Sequence, residues 1–197
     1  MDSNNTKFKI LNAMYTLIAE KGYDSSSIGQ IATIVGIKKS SIYYYYKSKE
    51  CIFIDLAKHL YKQNFQRPLK ELPPATTSQH YRENLEQLGK MIISYYFENP
   101  SLRKVYAEID VQTNRIPVLK EFVHSFDLEF KQFFIDYFQY GIEMKVFTPL
   151  FDVDEISQLL CTILVGIDHC ILYNMPIDPE KVWQKTIDYI FREVSYD

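Results

Sequence analysis

The sequence predicts an all-α protein of about nine helices, and three observations carry that prediction. Apolar residues recur at three- and four-residue spacing through most of the chain, the period of one helix face. Nowhere does a run of apolar and polar residues alternate in the manner of a half-buried strand. Breaks at Gly22, Gly36, Pro68, Pro73-Pro74, Pro100, Pro117, Pro149 and Pro176 cut the 197 residues into segments of helix length.

The first helix is expected over about Thr6–Lys21, where Ile10, Leu11, Met14, Leu17 and Ile18 form one stripe and Gly22 ends it. In the second, Ile28, Ile31, Ala32 and Val35 share a face. Ser27 with Gln30 has the spacing of a capping box, although a serine there can equally meet a phosphate at the exposed helix start. Gly36 stands where the chain must turn, because glycine tolerates the left-handed backbone that ends helices. A third helix follows, with Ile42 and Tyr46 placed to pack inward and Lys39, Ser40, Tyr43 and Tyr44 on another face. The fourth begins near Ser48 and fails before Pro68, long enough to leave the head and enter the body. Thr76 with Gln79 predicts a capping box for the fifth, which ends at Asn99-Pro100, and the sixth covers about 101–113. Pro117 opens a seventh that runs to Lys145. Asp152 or Asp154 caps the eighth, and Asp178-Pro179 opens the ninth as N-cap plus first-turn proline.

Helices two and three around Gly36 have the pattern of a helix-turn-helix, whose second helix enters the DNA major groove. The surrounding residues are Gly22-Tyr23, Ser26-Ser27, Ile31-Ala32, Gly36-Ile37, Ile42-Tyr43, Tyr46 and Lys47-Ser48-Lys49-Glu50. In that order and spacing they resemble the tetracycline-repressor (TetR) family of bacterial regulators over the first quarter of the chain. The resemblance implies a reading domain at 1–48 and an effector-binding, dimerising domain at 49–197, with helix four spanning the junction. It places Lys39, Ser40, Tyr43 and Tyr44 toward the groove, Tyr46 in the core and Lys49 on a phosphate, with Lys47 assisting. Ser26, Ser27, Lys38 and Tyr45 complete the candidate DNA set. Two positions depart from the family pattern. Lys38 stands where a capping side chain is common and cannot accept a hydrogen bond, and Ser40 replaces a frequent glycine.

Charge is distributed in keeping with such a head. The chain's net charge is −3, yet residues 1–50 hold seven lysines against four carboxylates and the remainder is at −6. A basic head on an acidic body suits a DNA reader fused to a module that does not touch DNA.

The resemblance further implies that the carboxy-terminal body binds a small effector and pairs with a second copy. The eighth helix carries Ile156, Leu159, Leu160, Ile163, Leu164, Ile167, Cys170 and Ile171 around Gly166, and the ninth Val182, Trp183, Thr186, Ile187, Ile190 and Val194. Two such helices from each copy would make a four-helix dimer interface, suited to a palindromic double-stranded operator with half-sites ~34 Å apart. For the effector, Tyr95, Tyr106, Phe126, Phe130 and Phe134 offer ring surface, a lining that suits lipophilic ligands, although rings at helical spacing serve a core equally well. Glu108, Asp110 or Asp168 is placed to meet a cationic group.

Other chemistries find little support. Asp168-His169-Cys170 are consecutive and point in three directions on a helix, so no metal site is expected, and no cofactor either. None of the four histidines pairs with a nucleophile, and the six glycines make no phosphate-cradling loop, which argues against an enzyme. Three cysteines without a CxxC suggest a reducing cytoplasm, and no stretch reaches the ~18 consecutive apolar residues of a membrane span. The expectation is a dimeric transcriptional repressor released from its operator by a small lipophilic, aromatic or cationic effector. The alternatives are a helical scavenger whose head no longer binds DNA, and a DNA-binding sensor of fatty acyl thioesters.

Overall fold

The computed structural model describes residues 3–63, 72–148 and 152–194, all helical apart from short connections. The described residues form α1 (Ser3–Lys21), α2 (Ile28–Val35), α3 (Lys39–Tyr45), α4 (Lys49–Tyr61), α5 (Ser78–Glu98), α6 (Pro100–Thr113), α7 (Pro117–Glu143), α8 (Val153–Leu172) and α9 (Pro179–Val194). The breaks at Pro68 and Pro149 lie outside the described residues.

Most helix ends follow the local signals. Gly36 ends α2 at φ 74°, and Pro100 and Pro117 each open a helix. Asp152, rather than Asp154, caps α8 by accepting from the Glu155 amide at 3.0 Å. Asp154 instead pairs with Lys131 at 2.9 Å. Asp178 accepts from the Lys181 amide at 3.0 Å and so caps α9. The expected Thr76–Gln79 box does not form. Thr77 takes the cap by accepting from the His80 amide at 3.2 Å, and this shifts the helix start by one residue. Gln79 then faces Glu83 at 2.7 Å, one turn along, and no longer reaches back.

Two compact units emerge, and they do not divide at 48/49. One comprises Met1–Gln63 with Asn99–Phe122, the other Asn64–Glu98 with Val123–Asp197. In the first, the α1 stripe Ile10, Leu11, Met14, Leu17 and Ile18 is buried as expected, together with Ile31, Ile42, Ile52, Phe53 and Leu56. Both α4 and α6 pack on α1. The Tyr61 ring at the end of α4 meets Tyr106 and Phe122 of the same unit at 5.6 and 5.5 Å; the stretch that would carry the fourth helix on toward Pro68 lies outside the described residues. Helix α6, expected in the body, is held to the head as well, by packing and by the Arg115–Asp24 pair at 3.2 Å.

The second unit is built around rings. Trp183, Tyr81, Tyr96, Phe134, Phe138 and Phe147 are almost fully buried. On α7, Phe126, Phe130, Phe134 and Phe138 follow one another with centroids 5.1–6.5 Å apart, and the series continues to Phe147 and Phe191. Helix α9 packs on α5 through Trp183, whose indole N–H donates to the Leu85 carbonyl at 2.9 Å over Gly89. A network of Arg82, Glu86, Gln184 and Asp188 borders that contact, and the guanidinium holds the Asp188 carboxyl below its ordinary range.

Candidate nucleic-acid interface

The helix-turn-helix is assembled by local capping and a few long-range ties. Ser27 accepts from the Gln30 amide at 3.3 Å, while the Gln30 side-chain oxygen accepts from the Ser27 amide at 2.9 Å, so the reciprocal box is present. Lys38 stands at the N-cap of α3 with no side-chain hydrogen bond, as its chemistry requires. What holds α3 in place is therefore its buried face. Ile42 is fully buried, and the Tyr46 hydroxyl donates to Asp55 of α4 at 2.6 Å. Burial and that hydrogen bond to the neutral hydroxyl push the Tyr46 phenol well above its usual range, which keeps it a donor at every working pH.

The tyrosine run divides as helical geometry demands. Tyr46 is buried, Tyr45 half-buried, Tyr43 is 49% exposed and Tyr44 82% exposed. Tyr44 and Tyr45 meet edge to face at 5.0 Å, which limits the rotamers of an otherwise solvated ring. Lys38, Lys39, Ser40 and Lys47 are exposed on the same short helix and its exit. Together these residues offer cations for phosphates and phenols for phosphate or base edges.

Two of the expected contacts have partners within the protein. Ser26 is buried, and its hydroxyl donates to the Gly22 carbonyl at 2.7 Å, so it closes the turn after α1. The Lys49 ammonium donates to the Tyr23 and Ser26 carbonyls at 2.9 and 3.1 Å and sits 4.0 Å from the Tyr23 ring centroid. Carbonyls at the α1–α2 turn, one of which also accepts from the Ser26 amide, and an aromatic face hold the ammonium there. Lys49 is thus a tie between the turn and the start of α4, over a separation of 26 and 23 residues. Asp55, the partner that secures Tyr46, carries no local signal in the sequence, and Tyr23 shows in it only within the Gly22-Tyr23 pair.

This part of the chain, residues 10–56, matches the family model described as bacterial regulatory proteins, tetR family. The biofilm operon icaADBC HTH-type negative transcriptional regulator IcaR of Staphylococcus aureus (strain Newman) is 47% identical over 47 residues, covering 24% of this chain and 25% of IcaR. That match spans about a quarter of the length of the curated relative. Beyond it, likeness is structural. A TetR transcription regulator from Haloarcula marismortui superimposes with a TM-score of 0.82 at 19% identity, over 98% of this chain and all of that one. Residues 10–56 carry the sequence signature of the TetR family, and the chain as a whole has the fold of that regulator. A chain from Saccharomonospora viridis, solved in complex with choline, has the same fold at a TM-score of 0.77 and 20% identity, covering 99% of this chain and 100% of that chain.

The residues expected to line an effector site divide between the two units. Tyr106, Glu108 and Asp110 belong to the first unit, with the head; Tyr95, Phe126, Phe130, Phe134 and Asp168 belong to the second. Tyr106 is buried against Tyr61, Asp110 is exposed, and Glu108 accepts from Gln112 at 3.0 Å. Tyr95 is 38% exposed. Phe126 and Phe134 are buried, and with Phe130 they spend much of their ring surface on one another, as a core does. A cleft of about 370 Å³ does open in the second unit, between α5 and α9, but Lys90, Ile93, Asp178, Trp183 and Gln184 line it, none of which was expected at an effector site. Asp168 is the exception among the candidates, with one carboxyl oxygen buried and unpaired.

The capping box can be tested apart from any ligand. Ser27→Ala should lower stability by about 1 kcal/mol, read as a shift of the urea midpoint without a change of slope.

Proposed function

We propose that this chain is a dimeric, DNA-binding transcriptional repressor that acts in the cytoplasm and leaves its operator when a small lipophilic, aromatic or cationic molecule binds the helical body. The observation that carries the reading is the row of exposed Lys39, Ser40, Tyr43 and Tyr44 on α3, presented by a helix whose opposite face is anchored through Ile42 and Tyr46. The likeness of residues 10–56 to the family model and to IcaR, a negative regulator, supports it. The choline bound by the S. viridis chain makes organic cations one class of effector to test.

Pairing is supported by α8. By length and composition this helix is apolar enough to cross a membrane, yet only 28% of its most apolar stretch is buried in the protomer. Leu160, Leu164, Ile167 and Ile171 face inward, while Leu159 and Val165 are exposed and Gly166 opens onto free space. Exposed Val182 and Tyr189 continue the apolar surface on α9. A second copy packed across α8 and α9 would cover these residues. The coupling we propose is reciprocal: effector and DNA favour different spacings of the two heads. Both α4 and α6 are built into the head, so the lever is the pair of them and not α4 alone.

The test is anisotropy of the chain's own upstream DNA, labelled and titrated with protein across a salt series. Tyr43→Ala and Lys39→Ala should each weaken specific binding by about 1–3 kcal/mol, and Lys47→Ala should reduce the salt slope by about one. Absence of salt-sensitive binding would sink the proposal. Affinity unchanged in the Tyr43 and Lys39 variants would favour a scavenger with an idle head.

A further inference from the structure

Three carboxylates were candidates for a cationic group, and their surroundings separate them. Asp110 is exposed, and Glu108 is engaged with Gln112 in the first unit. Asp168 sits on α8 in the second unit. Its Oδ2 accepts from the Tyr96 hydroxyl of α5 at 3.3 Å, and its Oδ1 is buried without a hydrogen-bond partner. Leu164, Ile167 and Ile171 of the same helix are buried beside it in sequence, and Tyr96 is 2% exposed. No lysine, arginine or histidine pairs with Asp168 among the described residues. One neutral phenol does not compensate a carboxylate withdrawn from water; a buried charge calls for a counter-charge.

We propose that Asp168 is the charge anchor for a monocationic small molecule, an ammonium carrying an apolar group, bound in the helical body. This rests on the effector-released regulator described above and names the class of that effector. A protonated amine supplies Oδ1 with its missing donor and the site with its missing charge. A quaternary ammonium supplies the charge alone and gains attraction from the Tyr96 ring where it meets the ring face. A neutral donor would satisfy the oxygen and leave the charge uncompensated.

The anchor also implies a pH dependence. Burial raises the Asp168 carboxyl to about 7, against a smaller lowering by the Tyr96 hydroxyl. Tyr96 is the titratable group facing it from α5, and α9 brings none against it among the described residues. The next two side chains on α8 turn elsewhere, His169 to Tyr173 at 4.5 Å and Cys170 to Met175 at 3.8 Å. A cation therefore competes with a proton, and its affinity should rise about tenfold per pH unit below 7 and level off above.

The test is calorimetric titration of the full chain at pH 8 with two matched pairs: 2-phenylethylammonium against 2-phenylethanol, and choline against 3,3-dimethylbutan-1-ol. At least one cation should bind about tenfold or more tightly than its neutral partner, and that preference should vanish in Asp168→Asn. The wild-type pH series serves as the second readout should the variant misfold. Equal affinity within both pairs, a preference that survives the substitution, or a pH-independent cation affinity overturns the proposal. Operator binding measured on the same preparations separates the two readings. A protein that binds DNA but shows no cation preference loses only the anchor; a cation preference without DNA binding removes the regulator reading.

Discussion

Gly89→Ala should be among the most damaging single substitutions in this protein, with a loss of about 3 kcal/mol or more. A β-carbon added there would stand 2.0 Å from Trp183 Nε1 and 2.2 Å from its Cδ1, far inside any contact real atoms make. The indole has nowhere to go. It is 1% exposed, and its N–H is committed to the Leu85 carbonyl at 2.9 Å. Alanine gains about 1 kcal/mol over glycine in a helix interior, so propensity alone would make the change stabilising. Overpacking against a rigid ring, with a buried hydrogen bond displaced, outweighs that gain. At this chain length the melting temperature should fall by about 10 °C. Gly29→Ala is the control: its nearest neighbour is Ser27 Oγ at 3.8 Å, so the same substitution should be neutral or slightly stabilising. Equal effects at the two sites would show that α5 and α9 are not packed as described.

Asp168→Asn should change stability in the opposite direction, and only above the acid range. The wild-type carboxyl titrates near 7 in the fold against an ordinary value of 3.8, so the folded state holds its proton more strongly than the unfolded chain. Stability from this group is therefore full below about pH 4, declines as pH rises toward 7, and is lost above it. That difference in proton affinity corresponds to about 4 kcal/mol, an upper figure that relaxation and water entry reduce. The amide has no proton to lose. Urea unfolding at pH 8 should accordingly find the variant more stable by up to that amount, and at pH 4–5 the two should nearly coincide. Carboxyls such as Asp188, held low by Arg82, act alike in both proteins and cancel in the difference. Parallel pH profiles would mean that the Asp168 carboxyl is hydrated, and the cation anchor would fall with it.

The instability caused by Asp168 and its proposed attraction for a cation have one origin. A group that costs stability in the empty protein, yet is placed where a ligand can neutralise it, stores free energy that ligand binding releases. Such a group at a regulatory site biases the body toward whichever arrangement the ligand favours.

The helical class, the nine helices of the described residues, the capping box at Ser27 and Gln30, the turn at Gly36 and the inward turn of Tyr46 were all legible in the sequence. Each rests on neighbours within about four residues, where helical period and backbone preference act directly. The same local logic showed that Lys38 cannot cap α3. It failed by one residue at Thr77, where two adjacent threonines compete for one cap and only packing chooses between them. Contacts made across long separations were out of its reach. Lys49 meets carbonyls 26 and 23 residues away, and the Ser26 hydroxyl bonds back to Gly22, so both residues also tie the head together. The assignment of α6 to the head, and with it the division of the supposed ligand residues between two units, depends on which apolar stripe meets which. Stripes of similar period are interchangeable on paper; volume and shape decide among them. Three carboxylates looked equivalent as letters, and only burial set Asp168 apart, because solvation is a property of the fold and not of the residue.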